Sequence, residues 1–318
     1  MLSLRVSVPE PLTEPVLDVL RGAEGVTGLA VLRGASLVPV GDVVTADLVR
    51  ETANQVLDAL HGLGVHERGT IRVQPVDTWL SLAAYRAEQQ TPGASADAVV
   101  WAEVTHRAYE ESELNWTYLS FMTLATAIAG IAIIQDSAVL VVAAMVLGPE
   151  FGPIVAIGLA LVRGRGHLLY LATRTLVLGF VVAIGLTLAL SLVARGAGWL
   201  TYGDLVQDRT QTAFIDQPTQ WNLVVAVIAA AAGVLSLTSR RTTNLAGVFI
   251  SVTTVPAAGN IALGVAVGAW DQVSRSATQL GINLIGMAVA GWLTLQLQKV
   301  LWSRVSVRRP RMIGRPPH

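Results

Sequence analysis

The sequence predicts an α-helical membrane protein in which six transmembrane helices, arranged as two inverted three-helix repeats, follow a small α+β domain. Composition is the first reason, because the chain is 53% hydrophobic and 14% charged, with a mean hydropathy of +0.56. The second reason is a set of six apolar stretches after residue 115, each close to the roughly 20 residues that cross a bilayer. The third is a similarity between the two halves of this apolar region.

The apolar pattern of residues 1–82 predicts a cytoplasmic ferredoxin-like domain of order β-α-β-β-α-β. In this fold, a four-stranded antiparallel sheet carries two helices on one face. In the first strand, Leu4, Val6 and Val8 alternate with polar residues and share one face. The remaining elements are expected as a helix at Glu14–Gly22, two strands around Gly34, a helix from Thr45 to Leu63 and a strand at Thr70–Val76.

Residues 83–115 predict a linker and an amphipathic helix that lies along the cytoplasmic face of the membrane. The break TPGAS precedes the segment DAVVWAEVTHRAYEESEL, in which apolar and charged residues recur with helical spacing. The membrane domain is expected to cover residues 116–304, and residues 305–318 form a basic cytoplasmic tail.

Each of the six apolar stretches is long enough to be a membrane span. Two of them contain proline and glycine near their middle: the second is interrupted by GPEFGP and the fifth by VPAAGN. The spans are expected at about residues 116–134, 137–162, 168–194, 221–238, 245–270 and 277–297.

Basic residues set the predicted orientation, because cytoplasmic loops are enriched in arginine and lysine. They follow the second, fourth and sixth spans, at Arg163, Arg165, Arg174, Arg240, Arg241, Lys299, Arg304, Arg308, Arg309, Arg311 and Arg315. Arg174, in the first turns of the third span, is interpreted mainly as a marker of the cytoplasmic side whose long side chain reaches the interface. Six spans then place both termini in the cytoplasm, and Met1–Leu20 has no secretory signal pattern. We expect the protein in the cell membrane.

An offset of about 107 residues aligns the two halves of the membrane domain, so that PEFGPIVAIG lies over PAAGNIALGV. The matched pairs are Pro149 with Pro256, Gly152 with Gly259, Ile154 with Ile261 and Gly179 with Gly286. Both interruptions fall in the second helix of a three-helix unit. Because three is odd, the two units would cross the membrane in opposite senses.

The two breaks are expected near the middle of the membrane. At about 1.5 Å per residue, Ser137 to Glu150 covers roughly 20 Å and Leu245 to Pro256 roughly 16 Å, against a hydrocarbon layer about 30 Å thick. Proline and glycine leave backbone groups unpaired at that depth, where only protein or trapped water meets them. Paired broken helices of this kind bind cargo in transporters.

Glu150 is the leading candidate in this predicted cargo site, because a carboxylate near the bilayer centre costs at least a few kcal/mol. Three interpretations stay open: Glu150 binds cargo or the coupling proton, it hydrogen-bonds to the opposite break, or it lies nearer the surface. The other candidates are Gly148, Pro149, Gly152, Pro153, Pro256, Gly259, Asn260 and Asn283, with Thr253 and Thr254 as further polar groups. For the polar ones, hydrogen bonding between helices is the structural alternative.

Several functional classes find no support in the sequence. No cysteine is present, which excludes disulfides, cysteine zinc sites and iron–sulfur clusters. The five histidines are scattered, and no HExxH, GxSxG or Walker lysine motif occurs. Basic and acidic residues balance at 22 each, so no nucleic-acid partner is indicated. We expect neither an enzyme nor a cofactor or metal site.

Four segments of the chain resemble a family of bacterial and archaeal membrane proteins, the domain of unknown function 389. They are Asp77–Ser81, Asp97–Val104, Asp136–Arg165 and Ser251–Gly268. Many family members have an apolar pair within a PLMGP-like motif at Glu150–Phe151, and one branch resembles the GPEFGP form found here. The resemblance implies the membrane architecture. It also implies that Glu150 is not essential to an activity shared by the whole family.

These observations predict a transporter or channel-like protein for a small polar or ionic solute that binds between the two breaks. The N-terminal domain is expected to be a cytoplasmic module that binds a small metabolite, with a nucleotide among the options by fold analogy alone. The rival prediction is a ligand-sensing receptor or scaffold that moves no cargo, and an intramembrane enzyme is a third. Six spans make a small body in the lipid bilayer, which favours a homo-oligomer, a dimer first and a trimer second.

Overall fold

The computed structural model describes residues 1–76, 78–91, 99–207, 209–215, 220–238 and 253–305. Contacts between residues divide the chain into two compact units. The N-terminal unit is built on Met1–Val104, together with Thr238 and the described residues after Lys299. The helical unit is built on the described parts of Thr105–Leu237 and Arg241–Lys299.

The N-terminal unit contains a four-stranded antiparallel sheet in the order β2-β3-β1-β4. Its strands are β1 (Leu2–Val8), β2 (Val26–Leu37), β3 (Val40–Leu48) and β4 (Thr70–Pro75). β1 is central and pairs with both β3 and β4. Its alternate residues Leu2, Leu4, Val6 and Val8 are fully buried, because the two-residue period of a strand directs them to one face.

Helices pack against this buried face of the sheet. They are α1 (Glu10–Gly22), α2 (Arg50–Gly62) and the short α3 (Val65–Arg68). Val16 and Leu20 of α1 and Val56 and Leu60 of α2 complete the core with the residues of β1. The observed order is therefore the β-α-β-β-α-β order that the sequence predicts, with α3 added before β4.

Two predicted boundaries in this unit are wrong. The chain turns between β2 and β3 at Val38–Pro39, whereas Gly34 lies inside β2 at a register shift and donates its N–H to Asp42 Oδ1 at 2.7 Å. The second helix begins at Arg50, because residues 45–48 continue β3 and pair with β1. Pairing with the central strand satisfies the backbone hydrogen-bonding groups of these residues. This tertiary pairing outweighs their local helix-start pattern.

Two further helices, α4 (Leu82–Gln90) and α5 (Trp101–Glu111), occupy most of the predicted linker region. The Ser81 hydroxyl caps α4 by accepting a hydrogen bond from the Ala84 N–H at 3.2 Å. Parts of the predicted features lie outside the described residues: Asp77, residues 92–98, residues 239–252 and the basic tail after residue 305.

The helices that follow are α6 (Trp116–Ile134), α7 (Ala138–Leu147), α8 (Phe151–Arg163), α9 (Gly166–Gly196), α10 (Tyr202–Val206), α11 (Gln220–Thr238), α12 (Thr254–Val267) and α13 (Trp270–Val305). Three of them, α6, α9 and α13, are long and apolar enough to cross a membrane, and α7 with α8 passes the same test as a bent pair. Leu223–Leu235 in α11 and all of α12 are shorter apolar helices. The count of six spans stays a prediction.

Glycines allow close helix packing in the helical unit. A Cβ added at Gly259 of α12 would lie 3.0 Å from the backbone nitrogen of Gly130 in α6. A Cβ at Gly158 of α8 would lie 3.0 Å from the backbone nitrogen of Trp292 in α13. Such small-residue contacts let backbones approach one another, which is a common way to join helices within a membrane.

Asp136, in the loop between α6 and α7, is a fully bonded carboxylate. It accepts hydrogen bonds of 2.9–3.2 Å from the backbone N–H and hydroxyl groups of Thr210 and Thr212 and from the N–H of Gln211. Desolvation acts to raise the pKa of Asp136, but these hydrogen bonds outweigh it and hold the pKa well below its usual range. Asp136 therefore fixes the loop to the segment after α10.

Candidate functional site

The apolar helix that starts at Ala138 is broken between α7 and α8, which meet at an angle of 52°. Gly148 leaves the helical conformation, with φ −66° and ψ 125°, and Pro149 supplies no backbone N–H. α8 then begins at Phe151, without a side-chain cap on its first N–H groups. The structure thus has the break that the GPEFGP sequence predicts.

Glu150 lies buried at this break, with 8% of its surface exposed. Its Oε1 accepts a hydrogen bond from the Thr254 hydroxyl, at the start of α12, at 2.7 Å. Its Oε2 has no hydrogen-bond partner among the described residues. A Cβ added at Gly148 would overlap this Oε2 and the Val255 side chain. Glycine at position 148 therefore makes room for the carboxylate.

Thr253, next to Thr254, connects this contact to α13. Its hydroxyl oxygen accepts hydrogen bonds from Gln279 Nε2 at 2.6 Å and from Asn283 Nδ2 at 3.1 Å. Gln279 and Asn283 lie four residues apart and therefore project from the same face of α13. We call Glu150, Thr253, Thr254, Gln279 and Asn283 the polar cluster; all five are buried.

Three acceptor oxygens of the polar cluster receive no hydrogen bond from the described residues. Glu150 Oε2, Gln279 Oε1 and Asn283 Oδ1 all lack a hydrogen-bond partner within the described part of the chain. An unpaired buried acceptor costs about 1–3 kcal/mol, and a charged group costs more. Such oxygens are suited to a proton, a cation or a polar molecule that donates hydrogen bonds. The cluster therefore has the chemistry of a binding site for one of these.

A cavity of about 360 Å³ adjoins the break on the side of α5 and α6. Gly148, Pro149 and Gly152 form part of its wall. Glu111, at the end of α5, stands against this wall: a Cβ added at Gly152 would lie 2.6 Å from Glu111 Oε2. This crowding desolvates the Glu111 carboxylate and raises its pKa, although Arg107 acts in the opposite direction.

The structure separates the nine predicted site residues into four groups. Glu150 and Asn283 belong to the polar cluster, and Gly148, Pro149 and Gly152 line the cavity. Pro153 lies buried in the first turn of α8. The remaining three, Pro256, Gly259 and Asn260, lie buried in α12, where the Asn260 amide donates to the Ser276 hydroxyl at 2.8 Å.

The prediction of an interruption within VPAAGN is wrong. α12 runs without a break through this segment and begins at Thr254, with Thr253 at its N-cap. Pro256 is only the third residue of the helix, where its missing N–H removes no hydrogen bond, since the first four N–H groups of a helix have no helical partner. Residues 239–252, which precede α12, lie outside the described residues.

Sequence reasoning missed Gln279, Tyr118 and Glu111. Gln279 carries a usable signal, because a buried amide four residues before Asn283 in an apolar span is costly without a partner. Tyr118 and Glu111 have no such signal in the sequence. They line the cavity because α5 and α6 pack beside the break. No group of three or more His, Asp or Glu side chains in the described ranges is placed to hold a metal ion.

Three apolar helices of membrane-crossing length, and a bent pair that passes the same test, indicate a helical membrane protein. The family model described as "Domain of unknown function (DUF389)" matches residues 145–289, which include α8, α9, α11, α12 and the break. This match agrees with the resemblance that the GPEFGP segment carries. The family description assigns no activity.

One curated relative is an uncharacterized protein of the archaeon Methanocaldococcus jannaschii, which is 22% identical over 200 residues. The match covers 63% of this chain and 60% of the archaeal protein. No solved structure matches the chain. Any activity therefore has to be argued from the site itself.

Proposed function

We propose that this protein is a membrane transporter or channel-like protein for a small polar or ionic solute. The observation that carries the proposal is Glu150, which is buried at a break in an apolar helix with one carboxylate oxygen unpaired. Ionisable groups at membrane depth are costly and characteristically mark ion, proton or substrate pathways. In this proposal the polar cluster is the cargo site, and Glu150 binds a cation or carries the coupling proton.

The proposed architecture has six spans in two inverted repeats: α6, α7–α8 and α9, then α11, α12 and α13. Equivalent packing supports the repeat. Gly179 of α9 accommodates the Tyr118 ring of α6, and Gly286 of α13 accommodates Leu223 of α11. The two glycines are one pair of the sequence repeat. With basic loops inside, both termini are cytoplasmic in the cell membrane.

We assign the N-terminal unit a regulatory role in which it binds a small metabolite on the cytoplasmic side, by analogy with other sheets of this fold. The proposed assembly is a homo-oligomer, a dimer before a trimer. Leu37, Val38 and Val40, at the tip of the β2–β3 hairpin, are 80–91% exposed. Neighbouring exposed apolar side chains of this kind favour a contact with a second copy or another protein.

The same hairpin tip favours the alternative function, a ligand-sensing receptor or scaffold that transports nothing. The two functions differ in where a ligand acts. Transport requires the polar cluster, whereas a sensor requires the N-terminal unit and leaves the helices as an anchor.

A ligand screen followed by flux measurements tests the proposal. Purified full-length protein is screened for thermal stabilisation by ions, nucleotides, nucleosides, amino acids and sugars, and each stabilising solute is assayed for uptake into proteoliposomes. Glu150→Gln is expected to reduce uptake to the level of empty liposomes, because it removes the charge while keeping the shape. Glu67→Gln, in the short helix α3, is the control and retains uptake.

Wild-type uptake by Glu150→Gln would contradict the proposal. A ligand whose binding is unaffected by Glu150→Gln, and lost on substitution in the N-terminal unit without any uptake, would establish the sensor instead.

A further inference from the structure

The cavity beside the break has charged side chains of one sign. Glu110, Glu111 and Glu113 line it, and none of the described lysine, arginine or histidine residues does. Two basic groups lie near these carboxylates without lining the cavity: His106 forms a 3.2 Å pair with Glu110, and Arg107 acts electrostatically on Glu111. A cavity of this charge attracts cations.

Three aromatic side chains line the same cavity: Tyr118, Phe121 and Phe151. Tyr118 is 7% exposed, and its hydroxyl has no hydrogen-bond partner among the described residues. Phe151 is held in place by Gly233 of α11, where a Cβ would overlap its ring. Aromatic faces attract cations, and more so where water is partly excluded.

The combination distinguishes an organic cation from a metal ion. A bare divalent ion requires several oxygen ligands at about 2.0–2.6 Å, and the described acidic side chains form no group that could hold a metal. The cavity volume of about 360 Å³ lies within the roughly 300–1,000 Å³ range of small-molecule sites. Carboxylates and aromatic rings in the lining of one cavity match an ammonium group with short alkyl substituents.

We infer that this cavity binds a small organic cation that carries an ammonium group. Glu111 and Glu113 bind the charge, and the three rings contact the alkyl groups. Glu150 lies behind the wall at Gly148. The step from binding to movement of the cation past Glu150 rests on the proposed function, whereas binding itself does not.

Calorimetric titration of the full-length protein in detergent tests the inference. The probes are tetramethylammonium and n-propylammonium chloride, with sodium chloride and the neutral tert-butanol as comparisons at constant ionic strength. We expect both ammonium ions to bind saturably, and sodium chloride and tert-butanol to show no saturable binding. Phe121→Leu should weaken tetramethylammonium binding about threefold to tenfold, the range of a single cation–aromatic contact.

Glu111→Gln is expected to weaken both ammonium ions about tenfold or more, while the charge-conserving Glu111→Asp and the distant Glu67→Gln retain most of the affinity. Equal responses to sodium ion or tert-butanol, or unchanged ammonium affinity in both Glu111→Gln and Phe121→Leu, would overturn the inference.

Uptake assays on the same preparations separate the inference from the proposed function. Ammonium binding without uptake of any solute would overturn transport and leave the inference standing. Uptake of some other solute that depends on Glu150, with no ammonium binding, would overturn the inference and leave transport standing.

Discussion

Asp42 and Glu150 are both buried, at 4% and 8% exposure, yet their carboxylates are bonded very differently. Asp42 accepts the Gly34 N–H on one oxygen at 2.7 Å, and the Thr13 hydroxyl on the other at 2.8 Å. Arg33 adds an ion pair at 3.5 Å. Glu150 has one side-chain donor, the Thr254 hydroxyl, and its second oxygen is unpaired.

This comparison separates a structural carboxylate from one that is prepared for a ligand. The hydrogen bonds from Gly34 and Thr13 lower the pKa of Asp42 below its usual value, which stabilises the charged form in the folded chain. Glu150 lacks a comparable second hydrogen bond, because its Oε2 accepts none from the described residues. An incompletely bonded carboxylate lowers stability, so its presence is most simply explained by something that binds there.

The largest expected effect comes from removing the space for Glu150. Gly148→Ala would place a Cβ against Glu150 Oε2 and Val255, and we expect a loss of about 2–3 kcal/mol, typical of overpacking. Thermal unfolding of the purified protein measures it. Gly185→Ala is the matched control, because a Cβ at Gly185 of α9 meets nothing within 4 Å; equal melting temperatures for the two variants would contradict the account.

A smaller loss is expected when Glu150 loses its donor. Thr254→Val keeps the size of the side chain and leaves Oε1 unpaired, which should cost about 2 kcal/mol. Thr278→Val is the control, since the exposed Thr278 hydroxyl bonds only to the Ser274 carbonyl oxygen. If Thr254→Val melts like Thr278→Val, the hydrogen bond to Glu150 contributes nothing to stability.

Asp42 should show a pH-dependent contribution. Because its pKa in the folded chain is depressed, the stabilisation is complete above the unfolded value of 3.8 and is lost as the pH falls through the lower folded value. Asp42→Asn should melt earlier than wild type at neutral pH, and this difference should shrink at acidic pH. A difference that stays constant with pH would show that the charge of Asp42 is not what stabilises the unit.

Glu150→Gln should have the smallest effect on melting. The substitution removes a buried, incompletely bonded charge and keeps an acceptor for the Thr254 hydroxyl, so we expect a melting temperature equal to or above that of wild type. The contrast with Asp42→Asn is the point of the measurement. A large loss of stability in Glu150→Gln would mean that Glu150 is structural, as Asp42 is.

The element order of the N-terminal unit was predictable because its apolar residues alternate with a clear period. The boundaries of its elements were harder to predict. Residues 45–48 have a helix-start pattern, and they form a strand because they pair with β1. Likewise Pro149 breaks a helix and Pro256 does not, although the two occupy equivalent repeat positions. The difference is the point at which each helix begins, which depends on tertiary packing.

Part of the candidate site was visible in the sequence. Glu150 and Asn283 are polar residues within predicted apolar spans, and this position in the sequence identifies them as candidates. Glu150 accepts a hydrogen bond from Thr254, the residue just before VPAAGN, but that segment is helical and does not form the predicted opposite break. The cavity was not predictable, because Glu111 and Tyr118 come from elements whose approach to the break has no local signature.

Infrared difference spectroscopy tests the central claim, that Glu150 is the group that takes up the cargo or proton. Reconstituted protein is cycled between two pH values, or with and without a stabilising ligand, and the carboxyl stretching region is compared among three chains. We predict a difference band in wild type and Asp42→Asn that is absent in Glu150→Gln. The same band in Glu150→Gln would show that Glu150 does not change state, and the account would be wrong.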